Sequence, residues 1–270
     1  MDYSILILAF NGESYLREQI VSILRCVNVD DVEIVVVDDG STDKTDEICL
    51  EFADRLTILK NEKNLGIKQS LIKGLNLIKT KYVFLSDQDD IWKQNKIRDM
   101  RPYLATDTLV FSDFEIFPPQ KKHSLNDIKE KYVFNKGCNQ KYIRFNSLVL
   151  GCTMAFDVEF FKKYERVLLD KKFSAISHDD FISSAFVKYG RVISVPHKLI
   201  RYRIHDSQCS RGTAIYRAKK ETYGRGYVDE DFLTLLTNLQ YLRIREISPL
   251  KRFIRILVDL THAVSNSYKL

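Results

Sequence analysis

Ser4-Ile5-Leu6-Ile7-Leu8-Ala9-Phe10 is a continuous apolar run that stops at Asn11-Gly12. A short run of this kind, without polar alternation, marks a strand buried on both faces, as in a parallel sheet. A helix is expected next, with Leu16, Ile20, Ile23 and Leu24 at helical spacing. The pattern then repeats. Glu33-Ile34-Val35-Val36-Val37 reads as a second strand that stops at Asp38-Asp39-Gly40-Ser41. Ser41 or Thr42 can cap a helix carrying Ile48 and Phe52. Leu56 to Leu59 is a third strand, and Leu71, Ile72, Leu75 and Ile78 form a helical stripe. Tyr82-Val83-Phe84-Leu85 is a fourth strand, ending at Ser86-Asp87-Gln88-Asp89-Asp90, and Thr108 to Phe111 is a fifth. Alternating strands and helices predict an α/β fold with a mostly parallel sheet flanked by helices. Ligands of such sheets bind beyond the carboxyl ends of the strands. Asn11, Asp38-Asp39 and Asp87 to Asp90 all fall there.

Beyond Asp113 the pattern loosens. Residues 115–142 are polar and read as a loop region. Leu148 to Phe156 is apolar again around Gly151-Cys152-Thr153. A helix is expected over Phe181 to Val187, after His178-Asp179-Asp180, followed by short strands over Val192–Val195 and Leu199–Tyr202. Beyond Arg211 the chain looks helical and basic, with 11 Lys+Arg against 6 Asp+Glu, while residues 1–210 are near neutral at 31 against 30. That asymmetry points to a basic tail on residues 211–270 and excludes a generally basic nucleic-acid binder. The domain reading is therefore 1–210 and 211–270, the first divided into halves 1–113 and 114–210. No apolar run approaches the ~20 residues of a membrane span, and Ile5 to Phe10 is too short for a secretory signal. The five cysteines, Cys26, Cys49, Cys138, Cys152 and Cys209, suggest neither a disulfide framework nor a zinc site. A reduced, cytoplasmic protein is expected.

Four clusters carry candidate chemistry. Asp87-Gln88-Asp89-Asp90 can offer oxygen ligands to Mg²⁺ or Mn²⁺, with Asp87 and Asp89 pointing the same way and Asp90 turned aside; a solvated acidic turn is the plain alternative. A carboxylate of Asp38-Asp39 can accept a pyrimidine N–H or ribose hydroxyls, or merely close a turn. An Asp in His178-Asp179-Asp180 can act as general base or serve a helix start. Arg203 and His205 in Tyr202-Arg203-Ile204-His205 can meet a diphosphate, or end a surface strand.

In order, the segments LILAFNGESYLREQIVSIL, VVVDDGSTDKT, NLGIKQSLIKGL, YVFLSDQDDIW, FSDFEIF, GCTMAF, SHDDFI and YRIHDSQ resemble the family 2 glycosyltransferases of GT-A fold, from Tyr3 to about Gly212. The set with DQDDIW, GCTMAF, HD and YRxH is most similar to a bacterial rhamnosyltransferase-like branch. The resemblance implies that Ala9, Phe10 and Asn11 contact the nucleotide, although the family's usual Thr-Tyr is Ala9-Phe10 here. It implies that Asp39 reads the base beside Asp38. Asp87 and Asp89 match the element that holds nucleotide and metal, with Asp90 and His205 as further ligands. Asp179 matches the catalytic base and Asp180 is its adjacent rival. The family commonly has Glu-Asp where this chain has His178-Asp179, which leaves the role of His178 open. Arg203 and His205 match a segment that folds over the diphosphate.

The expected reaction is metal-dependent, inverting transfer of a sugar from a dTDP- or UDP-linked donor to a glycan or lipid-linked acceptor. Trp92 is a candidate floor for the acceptor, or a core anchor. Gly151, Cys152 and Thr153 are expected to line the sugar pocket, Cys152 as a small packing residue. Lys251, Arg252 and Arg255 lie among Phe253, Ile254, Ile256 and Leu257. A basic amphipathic helix there suits peripheral contact with the inner membrane leaflet, or packing on the catalytic domain or a second copy.

Overall fold

The computed structural model describes residues 2–26, 32–118, 149–171 and 177–205. The chain divides into two units, Met1–Gly212 and Thr213–Leu270. The expected basic tail helix lies outside the described residues, as do residues 119–142 of the expected loop region.

The described strands are β1 (Tyr3–Ala9), β2 (Glu33–Asp38), β3 (Thr57–Lys60), β4 (Tyr82–Asp87), β5 (Ile91–Trp92), β6 (Thr108–Phe117), β7 (Met154–Asp157) and β8 (Arg191–Arg203). The helices are α1 (Leu16–Leu24), α2 (Thr45–Leu50), α3 (Ile67–Leu77), α4 (Lys96–Met100), α5 (Val158–Lys162), α6 (Glu165–Leu168) and α7 (His178–Tyr189). One mixed sheet runs in the order β3-β2-β1-β4-β7-β6-β8-β5. The β3-β2-β1-β4 half is parallel, as the apolar runs predict. β7 then pairs antiparallel with both β4 and β6. Every residue of β1 is buried, so its Ile and Leu side chains feed both faces of the sheet. α1 covers one face with Leu16, Ile20 and Ile23, all fully buried. Burial of such side chains contributes about 1.5–3 kcal/mol each before entropy is counted.

Three local expectations are corrected. β6 continues to Phe117, so residues 115–117 are strand and not loop. β8 is one strand rather than two short ones. Pro196 lacks the N–H that a ladder needs, and the pairing with β6 jumps there from Ser112↔Val195 to Asp113↔Lys198. Neither Ser41 nor Thr42 caps α2. The Ser41 hydroxyl is drawn to Asp38, while Asp43 Oδ1 accepts the Thr45 N–H at 3.0 Å. α7 is capped by Ser177, whose hydroxyl oxygen accepts the Asp180 N–H at 3.1 Å. A cap of this kind stabilises by about 1 kcal/mol and fixes where Asp179 emerges.

Candidate active site

β2, β1 and β4 lie side by side, with Leu8 in register with Val37 on one side and Asp87 on the other. Asp38-Asp39 and Asp87 therefore leave the sheet at the same edge, two strand spacings or about 10 Å apart. Asp38 is fully buried and closes its own turn, its Oδ1 accepting the Ser41 N–H at 3.0 Å and hydroxyl at 2.5 Å. Its Oδ2 is buried without a hydrogen-bond partner. Asp39 points the other way. Its Oδ1 accepts from Asn61 Nδ2 at 2.9 Å and the Leu65 N–H at 2.8 Å, and its Oδ2 accepts the Gly66 N–H at 2.8 Å. The carboxylate thus orders the loop ahead of α3. Asn61 is itself gripped by Lys73 Nζ at 2.7 Å. Ala9 is buried and gives only its carbonyl, which accepts the Asp39 N–H at 2.8 Å. Exposed Asn11 donates its N–H to Ser41 Oγ and accepts the Thr42 N–H, each at 2.9 Å.

At the end of β4 the carboxylates part in an unexpected way. Asp90, not Asp89, groups with Asp87: their oxygens and the Cys152 sulfur lie within 4.8 Å of one another. Asp90 is fully buried. Its Oδ1 accepts the Arg203 N–H at 3.0 Å, its Oδ2 is buried with no hydrogen-bond partner, and the Cys152 thiol stands close to the carboxylate. Desolvation first, then the charge of Asp89, pushes Asp90 up to about 7. Asp87 is also raised well above the carboxylate range, by desolvation and then by Asp90, Asp89 and Asp179. Asp89 turns instead to His205, whose Nε2 lies 2.9 Å from Asp89 Oδ2 and whose ring packs against Tyr15, tilted by 43° with 4.6 Å between centres. Arg203 does not lie open for a diphosphate. Its Nε donates to the Asp89 carbonyl at 2.7 Å and its Nη2 to Glu18 at 2.5 Å.

A half-buried and a fully buried carboxylate set close together, the buried one with an oxygen lacking a hydrogen-bond donor, form an oxygen donor set that suits Mg²⁺ or Mn²⁺. Desolvation holds the Cys152 thiol well above its ordinary value, so it stays protonated in the metal-free chain. Behind this cluster lies a residue that the sequence reading missed. Lys96 is completely buried, donates to the Cys152 carbonyl at 2.5 Å and holds its ammonium 3.9 Å from the centre of the Trp92 ring. Desolvation lowers it to about 8, against the pull of Asp90 and Asp87. Trp92 is 3% exposed and belongs to the core. It is the anchor and not a floor for an acceptor, because its ring is covered.

The other wall is α7 and the turn Gly151–Thr153. His178 is buried, and its Nε2 lies 2.7 Å from Asp179 Oδ1. Desolvation lowers the affinity of His178 for a proton, but Asp179 and Asp87 outweigh it and the net shift is upward. A Cβ at Gly151 would stand 2.6 Å from Asp179 Oδ1 and 3.0 Å from His178 Nε2. Gly151 is therefore needed for close approach to the pair. Thr153 is buried, with its hydroxyl spent on the Leu150 carbonyl at 2.7 Å. Asp180 lies in the first turn of α7, half-buried. Asp87, Asp90, Cys152, Gly151, His178 and Asp179 thus form a continuous patch where the two halves of the sheet meet.

The sequence profile of "Glycosyl transferase family 2" matches residues 4–165. The chain belongs to glycosyl transferase family 2. An uncharacterized glycosyltransferase of Rickettsia typhi is 30% identical over 248 residues, 90% of this chain and 74% of the relative. The dTDP-rhamnosyl transferase RfbG of Shigella flexneri is 28% identical over 237 residues, 80% of this chain and 77% of that one. Among solved structures, S. aureus TarS 1-349 in complex with UDP-GlcNAc has a TM-score of 0.61 at 16% identity, covering 93% of this chain and 69% of its own. Mannosyltransferase PcManGT from Pyrobaculum calidifontis, in complex with GDP-Man and Mn²⁺, has a TM-score of 0.62 at 16% identity, covering 97% and 80%. The fold is the GT-A fold of these glycosyltransferases, and this chain is a glycosyltransferase.

The family 2 profile covers Asp39, Asp87 to Asp90 and Gly151–Thr153 but ends before Asp179, Arg203 and His205. Gln88, between the acidic residues, was also missed: its side-chain amide binds both backbone groups of Phe10. No helix among the described residues is long and apolar enough to cross a membrane.

Proposed function

We propose that this family 2 glycosyltransferase moves a sugar from a nucleoside diphosphate donor onto a glycan or lipid-linked acceptor, with inversion. The observation that carries this reading is the meeting of Asp87 and Asp90 with Asp179 across Gly151. One side suits a cation and diphosphate, and the other offers a carboxylate to an incoming hydroxyl. Asp87 and Asp90 would hold Mn²⁺ or Mg²⁺, with Asp89 and His205 beside them. Such an ion, when bound, neutralises the diphosphate and the charge that grows on it as it leaves. Asp179 takes the proton of the acceptor hydroxyl as that oxygen attacks the anomeric carbon from the face opposite the diphosphate. His178 Nε2 stands 2.7 Å from one of its carboxylate oxygens. Asp39 and the Phe10–Asn11 segment would meet the base. dTDP-rhamnose is the favoured donor, because RfbG resembles this chain over most of both lengths; UDP-hexoses are second. Lys251, Arg252 and Arg255 would suit an anionic membrane surface bearing a lipid-linked acceptor.

The test is a melting experiment with dTDP-rhamnose, UDP-glucose, UDP-GlcNAc and GDP-mannose, each with Mn²⁺, Mg²⁺ or chelator. The true donor at 100 times its Kd should stabilise the fold by about 2.7 kcal/mol, and more weakly under chelator. If no nucleotide sugar raises the melting temperature with either metal, the donor assignment falls.

A further inference from the structure

We infer that Gln88 is a positioning residue that ties the nucleotide-side loop to the acidic loop, so that base and diphosphate are held in one register. This rests on the donor reading above. β1 stops at Ala9, and its last rungs are Ala9↔Asp38 toward β2 and Leu8↔Asp87 toward β4. Phe10 is the first residue beyond both ladders. Its N–H donates to Gln88 Oε1 at 2.7 Å, and its carbonyl accepts from Gln88 Nε2 at 3.0 Å. The side-chain amide thus adds one more rung after the backbones of β1 and β4 have parted. Only a primary amide of this length offers a donor and an acceptor side by side in that place.

The loop is fastened on its other side as well. Asn11 N–H donates to Ser41 Oγ at 2.9 Å, Gly12 N–H to Thr45 Oγ1 at 2.7 Å and Glu13 N–H to Asp43 Oδ2 at 3.0 Å. Residues 10–13 are therefore clamped between the turn after β2 and the loop after β4. Gln88 supplies the clamp on the acidic side and stands directly between Asp87 and Asp89. Gly12 makes room for it: a Cβ there would lie 2.4 Å from Gln88 Oε1. That neighbour is the far end of a flexible side chain, so a methyl at position 12 would displace the amide and little else.

Two substitutions can break the same contact from opposite sides. Gln88→Met keeps length and loses both hydrogen bonds; Gly12→Ala keeps Gln88 and pushes it off Phe10. Each should raise the donor KM, and the Kd for the free nucleoside diphosphate with Mn²⁺, by about tenfold. kcat at saturating donor should stay within about threefold, because Asp179 is untouched. The double variant should be no worse than either single one, since one interaction cannot be lost twice. Should Gln88→Met fail to fold, Gly12→Ala reads the same contact alone. Variants that melt earlier but keep the wild-type donor KM would show a merely structural role and overturn the inference, as would fully additive losses. If the wild-type chain binds no nucleotide sugar, the donor reading fails and takes this inference with it. If wild type and variants bind one equally, this inference alone fails.

Discussion

Asp179 makes the sharpest prediction at the scale of a single residue. Asparagine has the same shape, cannot take a proton, and can still lie beside His178. Asp179→Asn should lower the transfer rate by about 10³-fold, while nucleotide binding by titration calorimetry stays within about twofold. Full transfer by that variant would remove Asp179 from the role of base and turn attention to Asp180. The letters alone offered Asp179 and Asp180 equally, as base or as first-turn acid; it is the resemblance to the family that points to Asp179. Lys96 was not legible. It lies in Lys93-Gln94-Asn95-Lys96, a polar stretch that reads as a solvated face, and only the fold reveals that its ammonium is enclosed against Trp92 and the Cys152 carbonyl. The same holds for the carboxylates. Strict alternation paired Asp87 with Asp89, but the chain turns at β5, and the Arg203 N–H draws Asp90 inward while His205 draws Asp89 aside.

Among the elements, the parallel half was readable because each strand there is an apolar run with a polar stop. The second half was harder. β6 carries Asp113 and Glu115, which imitate a loop until the Glu115 partners Lys93 at 3.0 Å and Arg201 at 3.8 Å are in view. β8 was cut in two by Pro196, although pairing resumes beyond it. α4 is only five residues long, yet through Lys96 it reaches the turn Gly151–Thr153 that faces Asp179. Lys96→Met keeps the apolar stem and removes the charge. It leaves the Cys152 carbonyl without its donor and Asp90 without a nearby cation. The orphaned buried carbonyl costs about 1–3 kcal/mol, or roughly 2–12 °C in melting temperature. A melt within 1–2 °C of wild type, about the effect of a neutral surface change, would show that Lys96 carries no such burden.

For the whole molecule, these buried charges set a pH dependence. Asp90 rises from an ordinary 3.8 to about 7. Between those values the folded chain holds a proton that the unfolded chain releases, so this group's contribution is complete below about pH 4 and is lost as pH rises through 7. Lys96 falls from 10.5 to about 8. Its contribution is present above about pH 10.5 and is lost as pH falls through 8. Both costs are therefore in force between pH 7 and 8, the range in which a divalent cation would relieve the carboxylates. Asp90→Asn keeps an acceptor for the Arg203 N–H and removes the titration. Measured by calorimetry under chelator, its melting temperature relative to wild type should climb by several degrees from pH 4.5 to 7.5, and level off above. A flat difference across that range would mean that Asp90 ionises freely in the folded chain.

Trp92 is the chain's single tryptophan. It is shut away from water two residues beyond Asp90, with the Lys96 ammonium over its ring. Its intrinsic fluorescence is therefore a one-site optical signal, emitting at the short wavelengths of a dry indole. Any ion or nucleotide that disturbs the charges facing Lys96 would alter that emission, giving an unlabelled, real-time readout of what enters the cleft.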